Sequence, residues 1–247
     1  MPATNLRPYA RHIAVTSGGF LIPLFIVVSA LYFANRREIQ RAESLASDVA
    51  ALRINETTED EIERIVARYG GEAGDQAGGF CQGDVRGHSV RVDGGLLDYF
   101  GKYLGSRLFG NRIWDVNAIF NLSNGRLCYA DYYLRASLPE GYSINLTGRA
   151  LQSAPDFPLY SADVVRHRGM YIIKATVGPG ATSEQQEHAF EFRLDCMTRI
   201  GGCKNPCEIM PAAWIDAEQQ TKALGQQFPP LGYDIGCTLP SNFQAVH

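Results

Sequence analysis

Trp114-Asp115-Val116-Asn117-Ala118-Ile119-Phe120-Asn121-Leu122-Ser123-Asn124-Gly125-Arg126-Leu127-Cys128-Tyr129-Ala130-Asp131-Tyr132-Tyr133-Leu134-Arg135 carries the clearest structural signal in the chain. Trp114, Val116, Ala118, Phe120 and Leu122 alternate with Asp115, Asn117, Ile119 and Asn121, a period of two that predicts a half-buried strand. Asn124-Gly125 suits the tight hairpin turn, because both central residues of that turn take positive φ. The return strand puts Cys128, Ala130, Tyr132 and Leu134 on one face. Tyr129, Asp131, Tyr133 and Arg135 fall on the other.

Working outward, Pro139-Glu140-Gly141 predicts a turn into a third strand, with Tyr142, Ile144 and Leu146 facing the core. His88 to Val92 reads as a short strand before the hairpin. Ser161 to Val165 and Met170 to Val177 read as a second hairpin around Arg166-His167-Arg168-Gly169. Phe190, Phe192, Leu194 and Cys196 alternate as a last strand. Gly94 to Gly110 carries no assignable period. The expected fold class is α+β: an N-terminal transmembrane helix, then an antiparallel β-meander of about six strands packed with a few helices and linked by disulfides.

The transmembrane expectation rests on Ile13 to Ala34, an uncharged and mostly apolar run of 22 residues. As a helix it reaches about 33 Å, enough to cross a hydrocarbon core. Val28-Ser29-Ala30 resembles a signal-peptidase site, but the run continues through Leu31-Tyr32-Phe33-Ala34, which favours a retained anchor. After it, Ile39, Ala42, Leu45, Ala46, Val49 and Leu52 recur at helical spacing, a stripe suited to packing on the chain's own domain. The expected organisation is a short tail at 1–12, a transmembrane helix at 13–35, a stalk helix at 36–56, an extracytoplasmic domain at 57–217 and an irregular tail at 218–247.

Composition sets the rest. Of 23 basic and 26 acidic residues, five arginines and one acid fall in residues 1–41, so the remainder has a net charge of −7. An acidic body argues against nucleic acid, whose phosphates require Lys and Arg. All six cysteines, Cys81, Cys128, Cys196, Cys203, Cys207 and Cys237, follow the apolar run. An even count suits disulfides in an oxidising compartment, with the pairing open. A zinc site from Cys196, Cys203 and Cys207 lacks the paired short-spaced cysteines that structural zinc uses.

Thr58-Glu59-Asp60-Glu61 forms a capping box, and Gly70-Gly71 ends the helix it starts. Thr182 caps a short turn of helix through His188, and Asn205-Pro206 opens another. The Gly-rich stretch from Gly70 to Gly83 has no Gly-Lys-Ser/Thr and follows a helix, so it is a loop and not a phosphate cradle. No local motif for a hydrolase, a metal or a dinucleotide occurs, and no cofactor is expected. His88 and Ser89 are neighbours on a strand and point to opposite faces. His188 sits among polar neighbours on an expected surface turn. The residues with most claim to a partner are Arg166, His167 and Arg168, a basic hairpin tip, and Tyr129 and Tyr133, which share the outward sheet face with Ile119.

At Gly201-Gly202-Cys203, Pro206-Cys207 and Met210-Pro211-Ala212-Ala213-Trp214 the chain resembles a group of bacterial membrane-anchored proteins with no assigned activity. Thr57 through Tyr69-Gly70-Gly71 and Val177-Gly178-Pro179 are similar too. The resemblance implies the bacterial cell envelope and no chemistry. A second likeness is to small outer-membrane assembly lipoproteins, which carry Gly-x-Thr before an acidic helix and then an antiparallel sheet. Asn55 stands where their Gly would be, and no lipobox cysteine precedes it.

These observations give a single-pass inner-membrane protein with its domain in the periplasm or outside. Its expected function is to bind another envelope protein or to serve envelope assembly. Two alternatives are an envelope hydrolase with a spatially assembled site and a pilin-like subunit. Gly19-Phe20 after a basic leader suggests the last, although Leu24 stands where such subunits carry Glu.

Overall fold

The computed structural model describes residues 7–74, 81–93, 114–137, 143–152, 160–167, 170–199, 202–203 and 205–225, with side chains from residue 22 onward other than 166 and 167. Helix α1 (Arg7–Ala51) leads into α2 (Glu59–Tyr69). Seven strands follow: β1 (Glu72–Gly74), β2 (Val85–Asp93), β3 (Trp114–Ser123), β4 (Arg126–Ser137), β5 (Ser143–Leu151), β6 (Tyr160–His167) and β7 (Met170–Val177). Helix α3 (Ser183–Phe190), two short 3-10 turns (Asp195–Thr198, Pro206–Glu208) and α4 (Pro211–Ala223) complete the order.

The seven strands form one sheet in the order β1-β2-β3-β4-β5-β7-β6. This corrects the expected six-stranded antiparallel meander. The central hairpin is as its pattern requires, with Asn124 at φ 53° and Gly125 at φ 72° in the turn. However, β7 and not β6 pairs with β5, and that pair is parallel. The sheet is therefore mixed. Strand β7 buries Tyr171, Ile173, Ala175 and Val177, which suits an inner position. Strand β6 exposes Asp163 and Val165 and takes the edge.

The second correction concerns the expected strand at Phe190 to Cys196. Phe190, Phe192, Leu194 and Cys196 are all buried, so the alternation in burial holds. No ladder forms, because the amides bond elsewhere. Leu194 N–H donates to Glu43 Oε1 at 2.7 Å, and Arg193 N–H donates to Ile209 O at 2.8 Å.

The third correction is the transmembrane helix. Among the described residues, no helix is long and apolar enough to cross a membrane. From Ile22, where the described side chains begin, to Ala34 the apolar stretch reaches about 20 Å, short of the about 30 Å of a hydrocarbon core. A window of about 20 residues, the length a spanning helix needs, takes in Arg36, Arg37 and Glu38 when it starts at Ile22. The same helix then turns its second half into the core, burying Ile39, Ala42, Leu45, Ala46, Val49 and Leu52. It is one continuous helix through Ala51, and its second half packs on the chain's own domain as the stripe from Ile39 to Leu52 requires.

The four described helices pack on one face of the sheet, against Val90, Phe120, Tyr132, Leu134, Leu146, Ile173 and their row mates. Besides the bond from Leu194 N–H to Glu43, further polar contacts hold the end of α1 in place. Tyr132 Oη donates to Ala42 O at 2.9 Å, Gln186 Nε2 donates to Leu52 O at 2.9 Å, and the Arg41 guanidinium donates to Tyr69 O at the end of α2. The capping box of α2 forms as expected, with Thr58 N–H donating to Glu61 Oε2 at 2.8 Å, and Gly70 closes the helix at φ 68°. Two disulfides join described residues, Cys81–Cys128 and Cys196–Cys203, with Cα atoms 5.7 Å and 4.9 Å apart. Cys207 is disulfide-bonded as well, so the three clustered cysteines do not form a zinc site. Cys237, the turn at 139–141, the stretch 94–110 and the tail from 226 lie outside the described residues.

Candidate functional site

The first half of α1 sets this chain apart from an ordinary α+β domain. Ile22, Leu24, Phe25, Ile26, Val27 and Phe33 are each between 53% and 73% exposed. At 100° per residue these positions go around the helix and do not form one stripe. A helix that is apolar on every side is stable in water only when it is covered on every side. The transition is sharp: Asn35 is buried, and from Ile39 the helix belongs to the core. The result is an oily rod continuous with the domain.

The second feature is the sheet face opposite the four described helices. Register puts Asp131 of β4 beside Ile119 of β3 on one side and Arg149 of β5 on the other. Tyr129 Oη donates to Asp131 Oδ2 at 2.7 Å, and Arg149 Nη2 donates to the same oxygen at 3.0 Å. Burial, with the Asp131 charge second, raises the Tyr129 pKa and keeps its phenol protonated. Burial opposes the charge on Arg149, but the Asp131 carboxylate outweighs it and the guanidinium pKa rises. In the next row, Asn117 Nδ2 donates to Tyr133 Oη at 2.9 Å, and the Arg135 guanidinium lies 5.0 Å from the Tyr133 ring centroid.

The structure thus places Tyr129, Tyr133 and Ile119 on the shared outward face that the alternation requires, but not as equals. Tyr129 is 3% exposed and spends its hydroxyl on Asp131, so of the two tyrosines only Tyr133 keeps part of its surface open. Asp131, which holds the patch together, was missed. Its only sequence signal is a carboxylate between two outward tyrosines. Arg166 and His167 close β6; their side chains, and all of Arg168, lie outside the described residues. His188 is in α3 and not on a bare turn, with its Nδ1 3.0 Å from Asp216 Oδ2 of α4. Nothing local could reveal that pair, since 28 residues separate the two. Among the described residues, no group of three His, Cys, Asp or Glu side chains converges on a point where a metal ion would sit.

Comparison of this chain with protein-family models, with curated proteins and with solved structures returned no match.

Proposed function

We propose that this chain is an extracytoplasmic assembly module, joined to another protein of the cell envelope through the first half of α1. One observation carries the reading: a rod exposed at Ile22, Leu24, Phe25, Ile26, Val27 and Phe33 extends from a helix whose other half is the core of the domain. Exposed apolar surface of this extent marks an interaction site, and apolar character on all sides calls for a bundle of helices as its cover. The disulfides support an oxidising compartment. The resemblance at Gly201–Trp214 supports the envelope. Tyr133 and Arg135, on the sheet face opposite the described helices, offer a second, polar contact to the same partner.

The pilin-like form of this reading is favoured by the same observation. A long N-terminal helix, half core and half exposed, lets copies of one subunit pack helix against helix, and Gly19-Phe20 stands just before the rod. The test is a photo-crosslinking amino acid placed at Phe25 of the full chain in its host, with the same probe at the exposed Lys222 of α4 as control. The expected result is a discrete protein adduct from position 25, to a second copy or to one other envelope protein. A chain that yields no protein adduct from position 25 overturns the reading. N-terminal sequencing of the mature protein separates the forms: a start at Phe20 supports the pilin-like one, and an uncleaved chain removes it.

A further inference from the structure

Outside the rod, β6, α3 and α4 line an open cleft of about 230 Å³ whose polar groups are already fixed from behind. Tyr160 Oη donates to Asp216 Oδ2 at 2.6 Å, and His188 Nδ1 lies 3.0 Å from the same oxygen. Burial first, and then the bond to Asp216, raises the Tyr160 pKa, so the phenol keeps its proton and remains the donor. With Nδ1 engaged by Asp216, the His188 ring keeps only Nε2 for a ligand, and a hydroxyl, which both donates and accepts, pairs with that nitrogen in either tautomer.

Two amides are pinned in the opposite sense. Thr182 N–H donates to Gln185 Oε1 at 3.0 Å, and Ala162 N–H donates to Gln220 Oε1 at 3.1 Å. Each glutamine spends its oxygen on the backbone, which leaves its Nε2–H2 group to donate into the cleft that both residues line. Glu184 adds an exposed carboxylate acceptor at the rim. The described lining therefore holds oriented donors and acceptors together, with no Lys or Arg to attract an anion and no Ser, Thr or Cys to act as a nucleophile.

We infer that this cleft binds a neutral polyhydroxylated ligand, a single saccharide ring. A hydroxyl group both donates and accepts, so vicinal hydroxyls satisfy Gln185, Gln220, His188 and Glu184 at once. An anion would meet the Glu184 and Asp216 carboxylates with no Lys or Arg among the described lining to offset them, and an apolar ligand would leave all four polar groups unpaired. Size agrees, because a cleft of about 230 Å³ falls below the roughly 300–1,000 Å³ that encloses drug-sized molecules.

The test is titration of the isotope-labelled full chain, followed by NMR at the Ala162, Gln185 and His188 amides. The probes are glucose and N-acetylglucosamine, with sodium phosphate and sodium acetate as anionic controls. The expected result is saturable shifts with one of the sugars in the millimolar range and none with the anions. The variant Gln185→Glu/Gln220→Glu keeps both oxygens that accept from the backbone, because Glu serves a capping box as Gln does, and removes both donors. It should bind the sugar at least ~10-fold more weakly. Glu184→Ala, at an exposed position that leaves the fold intact, should weaken it several-fold. The inference is overturned if neither sugar shifts these amides, if phosphate or acetate shifts them equally, or if Glu184→Ala binds as the native chain does.

Discussion

Tyr132 Oη and Ala42 O, 90 residues apart in the chain, meet at 2.9 Å in the middle of the core and tie the sheet to α1. The phenol is fully buried, which holds its pKa well above the ordinary range and keeps it a donor. Tyr132→Phe should cost about 1 kcal/mol, the net value of a buried hydrogen bond. Tyr132→Ala should cost about 3–5 kcal/mol, because it also empties the space beside the Phe192 ring, 4.5 Å away between centroids. Urea unfolding of both variants checks the ratio.

Gln186 answers a different need, an orphan carbonyl at the end of a helix. Its buried Nε2 donates to Leu52 O at 2.9 Å. Gln186→Ala leaves that carbonyl without its donor, and the expected loss is about 1–3 kcal/mol. Its exposed neighbour Glu187 is the control: Glu187→Ala should stay within about 0.5 kcal/mol of the native chain in the same unfolding experiment.

Gly148 is required for closeness. A Cβ there would press into the backbone carbonyl of Ala189, where α3 lies on β5, and against the Phe190 ring. Backbone cannot swing aside as a side-chain tip can. Gly148→Ala should therefore destabilise by about 1–3 kcal/mol, read as a lower Tm in thermal melts followed by circular dichroism.

The two described disulfides differ in the length of chain they close, 47 residues for Cys81–Cys128 and 7 for Cys196–Cys203. Loop-closure entropy assigns them about 4 and about 2 kcal/mol respectively. Removing the first by Cys81→Ser/Cys128→Ser should lower the denaturation midpoint more than Cys196→Ser/Cys203→Ser does. Equal losses would show that strain or local packing, not chain entropy, sets the contribution.

Acid should loosen the start of α2. The Thr58 backbone amide, and after it the Thr58 hydroxyl, hold the Glu61 carboxyl below its ordinary 4.5. A folded-state pKa below the unfolded one contributes stability that is present above the unfolded value and lost as pH falls through the folded one. The Tm of the native chain should therefore fall more steeply than that of Glu61→Gln as pH drops from about 5 to about 3. Parallel curves would remove the cap from the acid response.

Much of this architecture is written locally. Alternation at Trp114–Arg135 specifies two strands and which side chains face inward, Asn124-Gly125 specifies the turn, and Thr58 and Thr182 mark the helix starts. Each of these is a contest between neighbouring residues and their own backbone, so neighbours in sequence suffice to decide it. The stripe from Ile39 to Leu52 is equally plain, because a helix brings residues three and four apart onto one face.

Tertiary structure alone decides which element lies beside which. Period two at Phe190–Cys196 foretells burial correctly, yet Glu43 and Ile209 claim the amides that a ladder would need, and no strand forms. Alternation in β6 and β7 assigns faces but not neighbours, so the parallel pairing of β5 with β7 has no sequence signature. Asp131 with Arg149, and His188 with Asp216 and Tyr160, are brought together by register and helix packing across 18, 28 and 56 residues. Burial follows from a residue's own hydropathy and period. Adjacency follows from the free energy of the whole packed chain, and only the folded molecule exhibits it.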